Sequence, residues 1–129
     1  MGRRTTEGPT EAELEILHVL WQRGPSTVRD VHEALAKVRK TGYTTALKLM
    51  QLMAEKGLVK RDESKRSHVY RAAVDQEDVQ QKMVGSMLDR LFDGAPEQLL
   101  VHALRAKKVS NDELTKIREL LDEYERGES

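Results

Sequence analysis

Glycine and proline cut the first 57 residues into three short pieces, and that spacing limits the fold more than any other feature of the chain. Thr10-Glu11-Ala12-Glu13 is a capping box: the Thr10 hydroxyl can accept from the Glu13 amide while the Glu13 carboxylate reaches back. The apolar spacing then predicts a helix with Leu14, Leu17, Leu20 and Trp21 on one face and Ile16 beside it. Gly24-Pro25 stops it. Ser26 or Thr27 caps a second helix, with Asp30 three residues after Thr27 and apolar positions at Val28, Val31, Leu35 and Val38. Gly42 breaks the chain again. A third helix is expected from about Tyr43 to Lys56, ending at Gly57 as a left-handed C-cap. Ala46, Leu49, Met50 and Met53 form its core stripe, while Thr44, Thr45 and Lys48 lie on another face at its N-terminal end.

Leu58–Arg61 reads as a short strand, Asp62–Ser67 as a polar hairpin loop containing Lys65 and Arg66, and His68–Arg71 as the return strand. Three short helices followed by a two-stranded hairpin is the layout of a winged helix-turn-helix, with the hairpin as wing. Three further helices follow. Asp75 caps one that runs to about Phe92, with Val84, Met87, Leu88 and Leu91 along a stripe. Asp93-Gly94-Ala95-Pro96 turns into a second, carrying Leu99, Leu100, Ala103 and Leu104, with Pro96 in its first turn. Ser110-Asn111-Asp112-Glu113 is another capping box, and the helix after it spaces Leu114, Ile117, Leu121 and Tyr124 like a coiled-coil seam. The fold class is therefore mainly α with a small β-hairpin wing. The expected organisation is a flexible arm over 1–9, a winged-helix DNA-binding domain over 10–74 and a helical dimerisation domain over 75–129. Three amphipathic helices of this size make a poor core alone, and a second copy of the chain is the simplest remedy. Leu88, Leu91, Leu100, Leu114, Ile117, Leu121 and Tyr124 are the candidate dimer contacts, although the last four could also be intrachain core.

Charge separates the two halves. The total is zero, but residues 1–74 carry 14 Lys+Arg against 9 Asp+Glu, and residues 75–129 carry 8 against 13. Within 37–71 there are 10 basic and 3 acidic residues. A basic head on an acidic tail suits a polyanion partner for the head and a different task for the tail. The candidate DNA contacts are Thr44, Thr45 and Lys48 on the third helix, Tyr43 at its start, and Lys65 and Arg66 at the wing tip. Short hydroxyls let a helix N-terminus come close to DNA, where its amides favour phosphate and its side chains reach base edges. Tyr43 could instead only staple the helix entry. Lys60, Arg61 and Arg71 on the strands, Lys37, Arg39 and Lys40 before the third helix, and Arg3 and Arg4 in the arm are weaker phosphate candidates.

Other functions are disfavoured. No Cys is present, which excludes disulfides, thiol nucleophiles and Cys-ligated metals. His18, His32, His68 and His102 include no i, i+4 pair and no HExxH, so neither a metal nor a cofactor is expected. No Gly-flanked nucleophile or phosphate-cradling loop suggests an enzyme. No uncharged apolar run approaches the ~18 residues of a membrane span. The arm's short myristoylation-like and twin-arginine patterns lack the apolar stretch a signal needs, so a cytoplasmic protein without direct membrane binding is expected. A winged helix that binds only protein is the alternative to DNA binding.

Taken in order, Thr10–Leu17 with Leu20-Trp21, Tyr43-Thr44-Thr45 leading to Glu55-Lys56-Gly57-Leu58-Val59, the wing ending His68-Val69-Tyr70-Arg71, and Phe92-Asp93-Gly94 resemble the penicillinase repressors, the BlaI/MecI/CopY family. The resemblance implies a homodimeric winged-helix repressor on a pseudo-palindromic operator with TACA/TGTA-like half-sites. It implies DNA contacts from Thr44, Thr45 and Lys48, and dimerisation through the tail. In the β-lactam branch a membrane sensor-protease system signals and the repressor is cut at an Asn–Phe bond; the aligned place here is His102-Ala103. The copper branch uses a C-terminal cysteine cluster, which this chain lacks.

Overall fold

The computed structural model describes residues 8–128; Arg3, Arg4 and most of the expected arm lie outside the described residues. The elements run α1 (Glu11–Arg23), β1 (Ser26–Thr27), α2 (Val28–Leu35), α3 (Tyr43–Lys56), β2 (Val59–Asp62), β3 (Val69–Ala72), α4 (Gln76–Phe92), α5 (Pro96–Ala106) and α6 (Asn111–Glu125). Two compact units result, the first ending at Ser86 and the second beginning at Met87, inside α4.

The helix starts follow from local chemistry. α1, α2 and α6 each open with a reciprocal capping box, Thr10 with Glu13, Thr27 with Asp30, and Ser110 with Glu113. Gly57 ends α3 at φ 84°, ψ 11°, a conformation that penalises any residue with a Cβ. Pro96 stands at the start of α5, where its missing N–H costs nothing.

The first unit is built around one cluster. Ile16, Leu17 and Leu20 of α1, Val28, Val31 and Leu35 of α2, and Ala46, Met50 and Met53 of α3 are buried together with Val59 and Tyr70. Trp21 is only half-buried; it packs at the cluster's edge, and its indole N–H donates to the Val74 carbonyl at 3.1 Å. The sheet is antiparallel in the order β1-β3-β2, with Ser26 opposite Tyr70 and Arg61 opposite Tyr70 on the other side. The expected hairpin is thus the larger part of a three-stranded sheet. Ser26 and Thr27 add the third strand because β3 presents a free edge to them. Val38 departs from expectation more sharply. α2 ends at Leu35, the chain tightens into i→i−3 bonds at Lys37 and Val38, and Val38 is 77% exposed in that turn. Leu14 and Leu49 are half-buried; Leu49 packs against the cluster.

One charged residue sits in the core face of α1. Glu13 is 3% exposed, and its carboxylate accepts from the Thr10 amide at 3.0 Å and from Lys56 Nζ at 2.6 Å. The pair ties the first turn of α1 to the last residue of α3. Burial pushes the Glu13 carboxyl up, but the Lys56 ammonium and the Thr10 amide outweigh it and hold the group below its ordinary 4.5. A carboxyl depressed on folding contributes stability above its unfolded pKa and loses it as pH falls through the folded one.

The second unit has no comparable centre. Neither α5 nor α6 contains a buried residue. Leu88, Leu114 and Ile117 are half-buried, while Leu91, Leu100, Leu121 and Tyr124 are exposed, Tyr124 by 75%. Phe92 stacks on His102 with ring centroids 5.4 Å apart.

Glu13→Gln should lower stability by roughly 1–3 kcal/mol at neutral pH, because a buried pair loses one partner while Lys56 keeps access to solvent. The deficit should shrink as pH is lowered below 4.5, because the unfolded parent's carboxylate takes up its proton before the folded one does. Urea denaturation of both proteins across pH 3–7 tests this; a constant difference across that range would rule out the linkage.

Candidate nucleic-acid interface

The burial of Ala46, Met50 and Met53 turns the remaining faces of α3 outward. Tyr43, Thr44, Thr45 and Lys48 are all exposed, within the first two turns of the helix. The start of α3 differs from those of α1, α2 and α6. Its N-cap is Gly42, and no side chain caps its first amides. Those N–H groups, with the two threonine hydroxyls beside them, remain available to an acceptor such as a phosphate oxygen. Tyr43 is 47% exposed and meets His32 edge-on with centroids 5.9 Å apart. It therefore braces the helix entry while part of the ring stays open to solvent.

The wing tip is also accessible. The Ser64 amide donates to Asp62 Oδ1 at 2.9 Å, closing the turn that leads to Lys65 and Arg66. Both cations are exposed, and neither makes a hydrogen bond or close ion pair among the described residues. Arg61 is different. Its guanidinium donates to Glu63 Oε2 at 2.8 Å, and Tyr70 stands opposite it on β3. It is a strut of the wing rather than a free cation. Lys60 and Arg71 oppose each other in register, on the hairpin face away from Arg61 and Tyr70. Arg39 pairs with Glu15 at 3.0 Å, while Lys37 and Lys40 of the same turn are exposed without a close ion pair among the described residues.

The structure brings Tyr43 and Arg66 to a common groove between α3 and the wing, and adds residues that sequence reasoning left unassigned. Arg29 from α2, Gln51 from α3, and Ser67 and His68 from β3's approach line it as well. Gln51 follows Tyr43 and Leu47 at i, i+4, i+8, a spacing that sequence reasoning could have used. Arg29 carried no such signal, because only the tertiary fold sets the start of α2 beside the wing. Thr44, Thr45 and Lys48 lie outside the groove lining, on the neighbouring face of α3. Among the described residues no three His, Asp or Glu are grouped to hold a metal, and no helix is long and apolar enough to cross a membrane.

Comparison with known proteins identifies the family. Residues 9–123 match the family described as Penicillinase repressor. The transcriptional regulator BlaI of Mycobacterium tuberculosis is 34% identical over 122 residues, which span 91% of this chain and 85% of that protein. The penicillinase repressor of Bacillus licheniformis is 23% identical over 115 residues, 89% of this chain and 90% of its own. Among solved structures, the DNA-binding domain of the repressor BlaI superposes with a TM-score of 0.51 at 22% identity, over 59% of this chain and 93% of that one. That likeness is one of fold. With the family matched over nearly the whole chain, this protein belongs to the penicillinase repressor family of winged-helix, DNA-binding transcriptional regulators.

Proposed function

We propose that this chain represses transcription as a homodimer, with two winged heads on the halves of a pseudo-palindromic operator and two helical tails joining the copies. The observation that carries the DNA contact is the uncapped, hydroxyl-bearing start of α3 facing solvent beside a wing tip with two unpaired cations. On this reading Thr44, Thr45 and Lys48 meet base edges and nearby phosphates in the major groove, while Lys65 and Arg66 hold phosphates or enter the minor groove. The tail's role rests on the absence of any buried residue in α5 and α6, together with a wide exposed apolar surface. Leu88, Leu91, Leu100, Leu114, Ile117, Leu121 and Tyr124 are the proposed dimer contacts. Release acts on this weaker half. A membrane sensor-protease system could act near His102-Ala103, since a helix without buried residues opens locally at small cost. The protein acts by occupying a promoter and performs no catalysis.

Selection of bound fragments from sheared genomic DNA, titrated against salt, tests the reading directly. A palindrome with two half-sites is expected, and no binding at low salt would replace the DNA partner with a protein one. Thr45→Ala should cost roughly 1–3 kcal/mol on the selected operator and much less on random duplex. An undiminished operator preference would remove Thr45 from base reading. Lys65→Ala or Arg66→Ala should weaken binding to all sequences alike and reduce the salt slope by about 1. Ile117→Asp should give a monomer by analytical ultracentrifugation. Tyr124→Asp, at a more exposed position, should weaken association without cost to the single chain's fold. Full dimers in both variants would move the seam elsewhere.

A further inference from the structure

The groove between α3 and the wing has no task in the scheme above beyond the contacts at its rim. It encloses about 380 Å³, against the ~10–15 Å³ that one water requires. Its charged lining is of one sign. Arg29, Arg61 and Arg66 contribute guanidiniums, and no carboxylate is among the lining residues. Arg61 is engaged by Glu63 and Tyr70, whereas Arg29 and Arg66 have no hydrogen bond or close ion pair among the described residues. Asp30, next to Arg29, lies outside the lining, with its carboxylate turned to the Thr27 amide at 3.1 Å. Gln51 and Ser67 add neutral donors, and Tyr43 adds a half-exposed hydroxyl-bearing ring.

We propose that this groove seats one sugar-phosphate strand of the duplex, with Arg29 and Arg66 contacting its phosphates from α2 and the wing. The inference rests on the DNA-binding reading and deepens it. Adjacent major and minor grooves of B-DNA are separated by a single phosphate backbone. A protein that places α3 in one and a wing tip in the other has to let that backbone pass between them. The groove lies between those two elements, and its chemistry is that of a phosphodiester site: unpaired guanidiniums, amide and hydroxyl donors, and no competing anion. Two consequences follow for residue roles. Arg29 is a DNA contact although it lies outside the recognition helix and the wing. Gln51, although on the recognition helix, contacts the backbone and not a base edge, so it contributes affinity without sequence preference.

The test uses the full-length protein with the selected operator and with random duplex of the same length. Arg29→Ala and Gln51→Ala should weaken binding to both DNAs by the same factor, and Arg29→Ala should reduce the salt slope by about 1. Operators carrying one neutral methylphosphonate at each position in turn provide a second measurement. One position per half-site should weaken the parent protein while leaving Arg29→Ala no weaker than on unmodified DNA. If Arg29→Ala binds like the parent at every salt concentration while Lys65→Ala is weakened, the seat is wrong and the DNA reading stands. If Gln51→Ala loses affinity only on the operator, Gln51 reads a base and its assignment to the backbone is overturned. If the parent binds no duplex at low salt, both readings fail together.

Discussion

Ala46, Met50 and Met53 leave α3 no freedom to turn about its axis, because all three are fully buried against α1 and α2. With 3.6 residues per turn, fixing that stripe determines where every other side chain of the helix points. Thr44, Thr45 and Lys48 are turned to solvent, and Tyr43 and Gln51 toward the wing. The same cluster contains Tyr70 of the central strand, so the wing is anchored to the core that orients the helix. The Glu13–Lys56 pair adds a constraint at the far end, joining the last residue of α3 to the capping box of α1. A change in that core would therefore disturb helix and wing together, and two of its members, Val28 and Tyr70, also line the groove between them.

Much of this was legible in the sequence because it is local. The capping boxes at Thr10, Thr27 and Ser110 satisfy amides within three residues, and Gly57 supplies its conformation alone. What was not legible depended on partners distant in the chain. β1 has two residues, too few to show any alternation, and forms only because β3 offers an edge. Glu13 reads as a cap and solvated carboxylate until Lys56, 43 residues away, makes its burial tolerable. Val38 keeps the apolar spacing of α2 although the helix has already ended. Arg61 looks like a phosphate contact by charge, yet it has an acid two residues on, just past the end of β2, and a tyrosine across the strand. The first of those partners was visible in the sequence and was a warning. Arg29 had no equivalent sign, since its neighbours in the groove come from α3 and from the far side of the hairpin.

The two halves meet different physical demands. The head has a closed core, and its surface can be given over to charge. The tail has well-specified helices without a core. Pro96 and the Ser110–Glu113 box define where α5 and α6 begin, but helices of 11 and 15 residues are marginal in water when little is buried along them. Leu120, Leu121 and Tyr124 remain exposed on α6. In the proposed dimer those side chains find their burial on another copy, and the tail's stability becomes a matter of assembly rather than of the single chain.

That division places control where it is least costly. In the proposed complex a single head would offer DNA a short helix face, a wing tip and one groove, all strongly screened by salt. Joining two heads makes the second binding event intramolecular, with an effective concentration set by the linkage, so operator affinity greatly exceeds that of either head. In the proposed dimer, any event that separates the tails would remove this gain without touching a proposed DNA contact. On the proposed reading the tail can therefore be loosely built, while the closed core of the head holds the start of α3 and the wing in a fixed relation.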